Sequence, residues 1–256
     1  MRVATWNING LRARLDFLLR WLQDRQPDLV GLQELKCEEG FPHAQFEAAG
    51  YQALIHTQKA WNGVAILSRL PATVQERGLP GEAEMGARFM SAKVGDLDFM
   101  TIYCPNGKAV GHPDYERKLR WLDSLARHLS EKQTPTESLI LCGDFNICPA
   151  ALDSWNEAGL RGTIFHTEQE RQRFQLLLGW GFTDMYRHCL PTTQAFSWWD
   201  YRAGAFHKNQ GLRIDCLLGT QKILDRLTRI EIDREYRKKK EDLLPSDHAP
   251  VMAEVR

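Results

Sequence analysis

The sequence predicts one α/β domain, with β-sheets packed inside and helices outside. Three observations carry this reading. Short apolar runs of strand character alternate with amphipathic stretches of helical period along the whole chain. No Ser/Gly-rich or Pro-rich linker and no low-complexity tract divides the 256 residues. The hydrophobic fraction, 43%, is ordinary for a globular protein long enough to bury a substantial core.

The elements follow in order. Arg2-Val-Ala-Thr-Trp6 reads as a first strand and Asn7-Ile-Asn-Gly10 as its turn. Leu15, Leu18, Leu19 and Leu22 keep helical spacing between Arg12 and Arg25, and Pro27-Asp28 stops that helix. Leu29 to Gln33 follows as a buried strand ending on Glu34, so the first two strands become neighbours in a β-α-β unit. A short helix is expected around Phe41–Ala49. Strands are expected near Tyr51–His56, Gly63–Ser68, Arg88–Val94 and Leu97–Tyr103, the last two joined by the turn Gly95-Asp96.

The second half repeats the scheme. Leu119, Trp121, Leu122, Leu125 and Leu129 give Tyr115–Leu129 an apolar helical face. Leu139-Ile-Leu then reads as a buried strand that Gly143 breaks, leading to Asp144 and Asn146. Side chains alternate along extended backbone, so these two point to one side and Phe145 to the other. By itself the stretch reads as an ordinary strand-to-turn exit, since Gly, Asp and Asn are all turn formers. Helices near Pro149–Ala158 and Glu168–Leu178 lead to an aromatic loop, Phe196–Tyr201, and strands near Ile214–Leu218 and Pro250–Val255 close the chain.

Lysine plus arginine equals aspartate plus glutamate at 33 each, which argues against a protein held to nucleic acid by bulk charge but permits a local basic face. No apolar run reaches membrane-spanning length, and the amino terminus carries no signal-peptide pattern. Six scattered cysteines, with no CxxC pair and no zinc spacing, read as reduced core thiols of a cytoplasmic protein.

Several strand ends carry ligand-type residues: Asn7, Glu34, Tyr103 with Asn106, Asp144 with Asn146, Asp215, and Ser246-Asp247-His248. Each alone has a dull explanation as a turn residue, a surface charge, a cap or a structural histidine; their recurrence at strand ends does not. The chemistry that fits is metal-assisted phosphoester hydrolysis. Glu34, Asp144, Asp247, Asn7 and Asn146 are hard oxygen donors, suited to Mg²⁺ or Mn²⁺ and not to zinc. Asp144 could orient or deprotonate water, and His248 could contact phosphate with Asp215 fixing its tautomer. Tyr103, Asn106 and Asn146 are neutral donors for transition-state charge.

Trp6-Asn-Ile-Asn-Gly-Leu-Arg12, Leu32-Gln-Glu-Leu-Lys36, Tyr103-Cys-Pro-Asn-Gly107, Gly143-Asp-Phe-Asn146, Gly211-Leu-Arg-Ile-Asp215 and Ser246-Asp-His-Ala-Pro250 stand in the order of one family. From end to end the chain resembles the bacterial exonuclease III family of DNA repair enzymes, which includes AP endonucleases, within the endonuclease/exonuclease/phosphatase superfamily. The resemblance implies a deoxyribonuclease-like, four-layered α/β sandwich with two facing mixed sheets flanked by helices. It implies Mg²⁺-dependent cleavage of phosphodiesters in duplex DNA at abasic sites, nicks or blocked 3′ ends, by one catalytic domain over residues 1–256. A monomer is the default for an enzyme that must grip a long duplex, and the oligomeric state is otherwise left open. Position by position, it makes Asn7 and Glu34 metal-site residues, places Asp247 in their network, and gives Asp144 the attacking water. Asn146 and Tyr103 meet the phosphate, and Asp215 supports His248. It leaves open whether one or two ions act, and whether Asp144 is ligand, base or both.

The same match assigns Trp198, Leu212 and Ile214 to a pocket for a flipped-out abasic sugar, against core packing as the plain reading, which Trp199 fits. Arg234–Lys240 reads either as a phosphate-facing run or as a solvated charged turn, with Arg88, Lys108, His112 and Lys208 as weaker contacts. The loop Gly162-Thr-Ile-Phe-His166 departs from the family pattern. His166 is either a surface histidine or a bulky group filling the path of continuous DNA, which would favour 3′-terminal substrates over internal abasic sites. Two further readings of the chain stay in view: a phosphoesterase for small substrates such as inositol phosphates or sphingomyelin, and a non-catalytic DNA-binding module. A serine hydrolase built on Ser246 and His248 lacks a nucleophile elbow.

Overall fold

The computed structural model describes residues 1–256. Its strands are β1 (Arg2–Asn7), β2 (Leu29–Gln33), β3 (Gln52–His56), β4 (Val64–Ser68), β5 (Thr73–Arg77), β6 (Phe89–Val94), β7 (Leu97–Tyr103), β8 (Leu139–Asp144), β9 (Thr183–Asp184), β10 (Asp215–Gly219), β11 (Leu227–Ile232) and β12 (Val251–Val255). Its helices are α1 (Leu11–Arg25), α2 (His43–Ala48), α3 (Pro113–Lys132), α4 (Glu157–Leu160), α5 (Glu168–Trp180), α6 (Met185–Cys189) and α7 (Gln221–Leu224). The strands form two six-stranded mixed sheets, ordered β11-β12-β1-β2-β4-β3 and β5-β6-β7-β8-β10-β9. Each has one parallel pair at its middle, β1 with β2 and β7 with β8.

Alternation along the strands builds the layers. Val3, Leu29, Val64 and Ile66 of one sheet meet Met90, Phe99, Ile140 and Leu217 of the other in the core between them. The intervening Ala4, Trp6, Val30 and Leu32 face outward under Phe17, Leu18 and Trp21 of α1. On the second sheet Met100, Ile102 and Leu141 face α3 and α5 through Leu122, Leu125, Phe174 and Leu177. Helix, sheet, sheet, helix is the expected four-layered sandwich. Full burial of each large apolar side chain contributes roughly 1.5–3 kcal/mol, so the three cores dominate its stability. The sheets approach closely at Gly31, where a Cβ would lie 2.6 Å from Thr101 Oγ1.

Some elements differ from the sequence reading. Gly143 does not break its strand: β8 runs through it to Asp144. Its φ is +145°, and a Cβ would lie 2.0 Å from the Ile102 carbonyl oxygen, so the residue allows β7 and β8 to close up just below the site. The helix expected over 149–158 is a 3₁₀ turn, Ala151–Asp153, followed by the four-residue α4. Asp153 spends its carboxylate on the Ala150 N–H, and Asn156 caps α4 through the Gly159 N–H, which breaks the segment in two. β5, β9 and β11 were not anticipated. Two are half-exposed sheet-edge or outer strands without a continuous apolar run, and β9 has two residues.

Candidate active site

Strand direction brings the polar strand ends together. β1, β2, β7 and β8 all finish at the same rim of the sandwich, while β10 starts and β12 is entered there. Asp215 therefore pairs with Asp144 across β10 and β8, and Tyr103 with Asp144 across β7 and β8. Just ahead of β12, Ser246 donates its hydroxyl to the Asn7 carbonyl at 2.7 Å and accepts the His248 N–H at 3.2 Å. That hydroxyl is a turn-former, not a nucleophile. Trp6 Nε1 holds the His248 carbonyl at 3.0 Å.

The side chains make one connected set. Asn7 Nδ2 donates to Glu34 Oε1 at 2.8 Å and to Asp144 Oδ2 at 2.9 Å, so it bridges the two acids. Lys36 Nζ pairs with the other Glu34 oxygen at 2.7 Å. His248 Nδ1 sits 2.9 Å from Asp215 Oδ2, and its Nε2 points toward Asp144 Oδ2 at 4.0 Å. Ser197 donates to the same Asp215 oxygen at 2.6 Å. Asp247 accepts Trp198 Nε1 at 3.0 Å and Asn9 Nδ2 at 2.8 Å. Asn146 donates its side-chain amide to the Cys104 carbonyl at 2.9 Å, while its backbone N–H caps Asp144 Oδ1 at 2.9 Å.

Burial sets the electrostatics. It pushes the Asp144 carboxyl up to about 7, against the pull of His248 and the Asn7 hydrogen bond. Burial would lower His248, but Asp215 first, then Asp247 and Asp144, lift it to about 10, so the ring is a cation. Glu34 resists the same desolvation through Lys36 and Asn7 and stays below the usual range. Tyr103 is driven well above an ordinary phenol by burial and by the nearby Glu34 and Asp144, so it keeps its proton.

Glu34, Asp144 and His248 each offer a ligand atom within 4.8 Å of the others. His248, protonated beside Asp215, has no lone pair free for a metal, which leaves the Glu34 and Asp144 carboxylates and the carboxamides around them as hard oxygen donors. This set fits a divalent cation that prefers oxygen.

A cleft of about 330 Å³ opens over the set, lined among others by Glu34, Tyr103, Asn106, Asn146, Trp198, Ile214, Asp247 and His248. A larger cleft of about 880 Å³ between α1 and α2 has no convergent buried acids, so size does not locate the chemistry. Leu212 is not at the cleft surface; it packs beneath with Cys148 and Ile214, against Phe165 and Trp198. Trp199 is core, as its plain reading required.

His166 needs correction on both readings. It is not a surface residue, being 2% exposed, and it does not line the cleft. Its Nε2 is bound to Ser154 Oγ at 2.9 Å and its Nδ1 faces the Ile164 carbonyl, so the ring is turned inward. Ile164 and Phe165 form that wall instead. The basic run is mixed as well. Tyr236 is core, and Arg237 is buried on the carbonyls of Asp247 and Trp199 at 3.0 and 3.2 Å. Of the weaker contacts, His112 caps α3 through the Asp114 N–H, and Arg88 holds the Tyr103 carbonyl at 3.2 Å with its guanidinium over the Tyr103 ring. Asn9, Lys36 and Ser197 went unread in the sequence. The first two lie inside the matched motifs, and Ser197 had no signal beyond the aromatic loop around it.

A sequence profile of the Endonuclease/Exonuclease/phosphatase family matches residues 4–248. The chain belongs to that family. It is 34% identical to exodeoxyribonuclease III of Haemophilus influenzae over 270 aligned positions, which cover 100% of each chain. Among solved structures, the 3′ phosphatase NExo from Neisseria, bound to a product DNA hairpin, superposes with a TM-score of 0.93 at 35% identity. That alignment covers 100% of this chain and 99% of the other. An AP endonuclease from Archaeoglobus fulgidus gives a TM-score of 0.95 at 31% identity, with the same coverage. No helix is long and apolar enough to cross a membrane.

Proposed function

We propose that this protein is a DNA repair nuclease that hydrolyses phosphate esters of duplex DNA in the presence of Mg²⁺, with Mn²⁺ as a substitute. The observation that carries the reading is the bridged set Asn7, Glu34, Asp144 and His248 at the rim where both sheets end. Exodeoxyribonuclease III, NExo and the Archaeoglobus enzyme support DNA as the substrate. The protein acts as a cytoplasmic monomer whose catalytic domain spans residues 1–256.

Glu34 and Asp144 would hold the ion, with Asn7 fixing both carboxylates and Asp247 and Asn146 completing the polar surround. When bound, the ion supplies positive charge for the leaving oxygen. Asp144, capped by the Asn146 N–H, orients the attacking water and takes its proton. His248, cationic through Asp215, donates from Nε2 to a phosphate oxygen. Tyr103 and the amides of Asn106 and Asn146 donate to the others without carrying charge of their own. Trp198 and Ile214, backed by Leu212, form an apolar slot for a sugar without its base.

The enzyme removes 3′ nucleotides and 3′-phosphates and incises abasic sites. The wall made by Ile164 and Phe165, propped from behind by His166, shifts the balance toward 3′ ends. The test is an end-labelled duplex assay with Mg²⁺ comparing a recessed 3′ end, a 3′-phosphate at a nick and an internal abasic site. Cleavage of all three, fastest at the 3′ ends, is expected. Preference for small phosphoesters such as inositol phosphates over every duplex would overturn the reading.

A further inference from the structure

Behind the cleft lies a pair of charges that this mechanism does not use. Lys118 of α3 and Glu170 of α5 form an ion pair with both side chains fully buried. Such a pair is weak evidence for stability, since apolar residues of the same volume often serve as well. What the remaining hydrogen bonds reach is more informative.

Lys118 Nζ donates to the main-chain carbonyl of Asn146 at 2.6 Å and lies 3.4 Å from that of Asn106. It also stands 5.0 Å from the ring centroid of Phe165. Glu170 Oε1 accepts the Phe165 N–H at 3.2 Å, and its Oε2 accepts the Thr167 N–H at 3.0 Å and hydroxyl at 2.8 Å. One ion pair therefore touches the loop after β7, the loop after β8 and the segment forming the cleft wall. Two of the residues it holds have left-handed backbone: Asn146 with φ +49°, which asparagine tolerates, and Phe165 with φ +71°, which costs a bulky residue roughly 1 kcal/mol or more. Such conformations persist only where surrounding bonds over-determine them, and here Lys118 and Glu170 supply those bonds.

We infer that the buried Lys118–Glu170 pair is a positioning unit, in which Lys118 fixes the backbones of Asn106 and Asn146 and Glu170 fixes that of Phe165 in the same register. The consequence for chemistry runs through Asn146. With its carbonyl pinned from behind and its N–H on Asp144 Oδ1, the residue cannot rotate, and the amide that faces phosphate and the carboxylate that faces water stay aligned. Phe165 is held by the same pair, so the group that limits the DNA path and the group that meets the phosphate cannot move independently. This rests on the functional reading above for the role of Asn146; the structural coupling does not.

The test separates positioning from folding by removing both charges at once. Lys118→Met/Glu170→Met leaves no uncompensated buried charge, so its melting temperature returns toward wild type, above that of Lys118→Met alone. Its kcat for a 3′-phosphate at a nick is expected to fall about tenfold or more, with KM changed less than about twofold, because a small misplacement at the reacting centre is felt in turnover. Lys118→Gln/Glu170→Gln, which keeps neutral donors and acceptors and strands no charge, serves as the milder second variant. Added to Asn146→Ala, it should cost no further factor, since both changes act through one residue. Wild-type turnover per folded molecule in the charge-free variant, or fully additive losses in the cycle, overturns the inference. Amide hydrogen exchange at Asn146, whose N–H is held by Asp144 and by neither replaced residue, needs no DNA and should rise in both variants while the strands stay protected. Unchanged exchange there also overturns it. A wild-type protein that cleaves no DNA would fail the functional reading instead, with the exchange result still standing.

Discussion

Arg213 offers the sharpest test of how the site is supported. It is 1% exposed, two residues before Asp215, and it is the hub of a buried ionic cluster. Its Nε donates to Asp153 Oδ1 at 2.6 Å, and its Nη1 and Nη2 donate to Asp184 at 3.2 and 2.6 Å. Replacing it with Met keeps much of the volume and strips the cation from both acids. The two acids are not left equal. Asp153 keeps Arg187 and the Ala150 N–H, whereas Asp184 loses its ion pair and keeps only the N–H groups of Tyr186 and Arg187. Breaking a buried pair costs about 3–5 kcal/mol, and these surviving partners place Arg213→Met near the lower end, about 3 kcal/mol. At about 2–4 °C per kcal/mol for a chain of this size, the melting temperature should fall by about 6–12 °C, read by circular dichroism without metal. Adding Asp184→Asn removes the stranded charge and should recover roughly half of the loss. A fall worth less than about 1 kcal/mol, or no recovery in the double variant, would refute the reasoning.

Four further outcomes follow from the site and its surroundings. Asp144→Asn should lower cleavage by about 10³-fold while leaving duplex binding measurable by fluorescence anisotropy; loss of both together would place Asp144 in binding and not in chemistry. Millimolar Mg²⁺ should raise the melting temperature of the wild type and not of Glu34→Gln, and chelation should abolish cleavage. Glu157 is held below the usual carboxylate range by its hydrogen bonds with Arg171, against burial. A lowered folded pKa stabilises above the unfolded value and fades as pH falls through the folded one. The wild type should therefore lose more stability than Glu157→Gln on acidification from about pH 6 to pH 3, measured by urea midpoints. Finally, His166→Gly should loosen the Phe165 wall and raise abasic-site incision relative to 3′-phosphate removal; an unchanged ratio of the two rates would show that His166 only supports the loop.

Much of the fold was legible because both halves of the chain use unambiguous signals. The β-α-β start, the α3 face and the apolar strands have the right period, and the parallel pairs at the sheet centres are apolar on both sides. β5 and β11 escaped because they have neighbours on only one side and need no apolar run. The site residues were legible as types but not as geometry. That Asn7 bridges two acids, or that Asp247 is held by Trp198 and Asn9, depends on contacts over more than a hundred residues or between loops. His166 shows the limit most clearly: a histidine in a polar-looking loop gives no sign that its partner is the hydroxyl of Ser154.

Glu34 shows why the site could not be read from strand alternation alone. Thr5, Gln33 and Thr101 point between the sheets, where Gln33 Nε2 donates to Thr5 Oγ1 at 3.0 Å and to Thr101 Oγ1 at 2.9 Å. Counting by twos from such inward positions places Asn7, Tyr103 and Asp144 on the inner face, where their contacts lie. The same count sends Glu34, which follows inward Gln33, to the outer face under α1. The backbone prevents this. Glu34 has φ +53°, which ends β2 and turns the chain so that the carboxylate meets Asn7 and Lys36 at the rim. Asn9, Lys36 and Asn146, the neighbours that hold the acids, share this left-handed state. At roughly 1–2 kcal/mol each for Glu34 and Lys36, and less for the two asparagines, such a cluster is a local cost that burial elsewhere must offset. Replacing Glu34 by Gly would relieve the strain while removing the carboxylate, so the metal-free protein should become no less stable as activity is lost. That opposition between stability and activity is what a strained metal-binding rim predicts, and a plain structural ion pair with Lys36 does not.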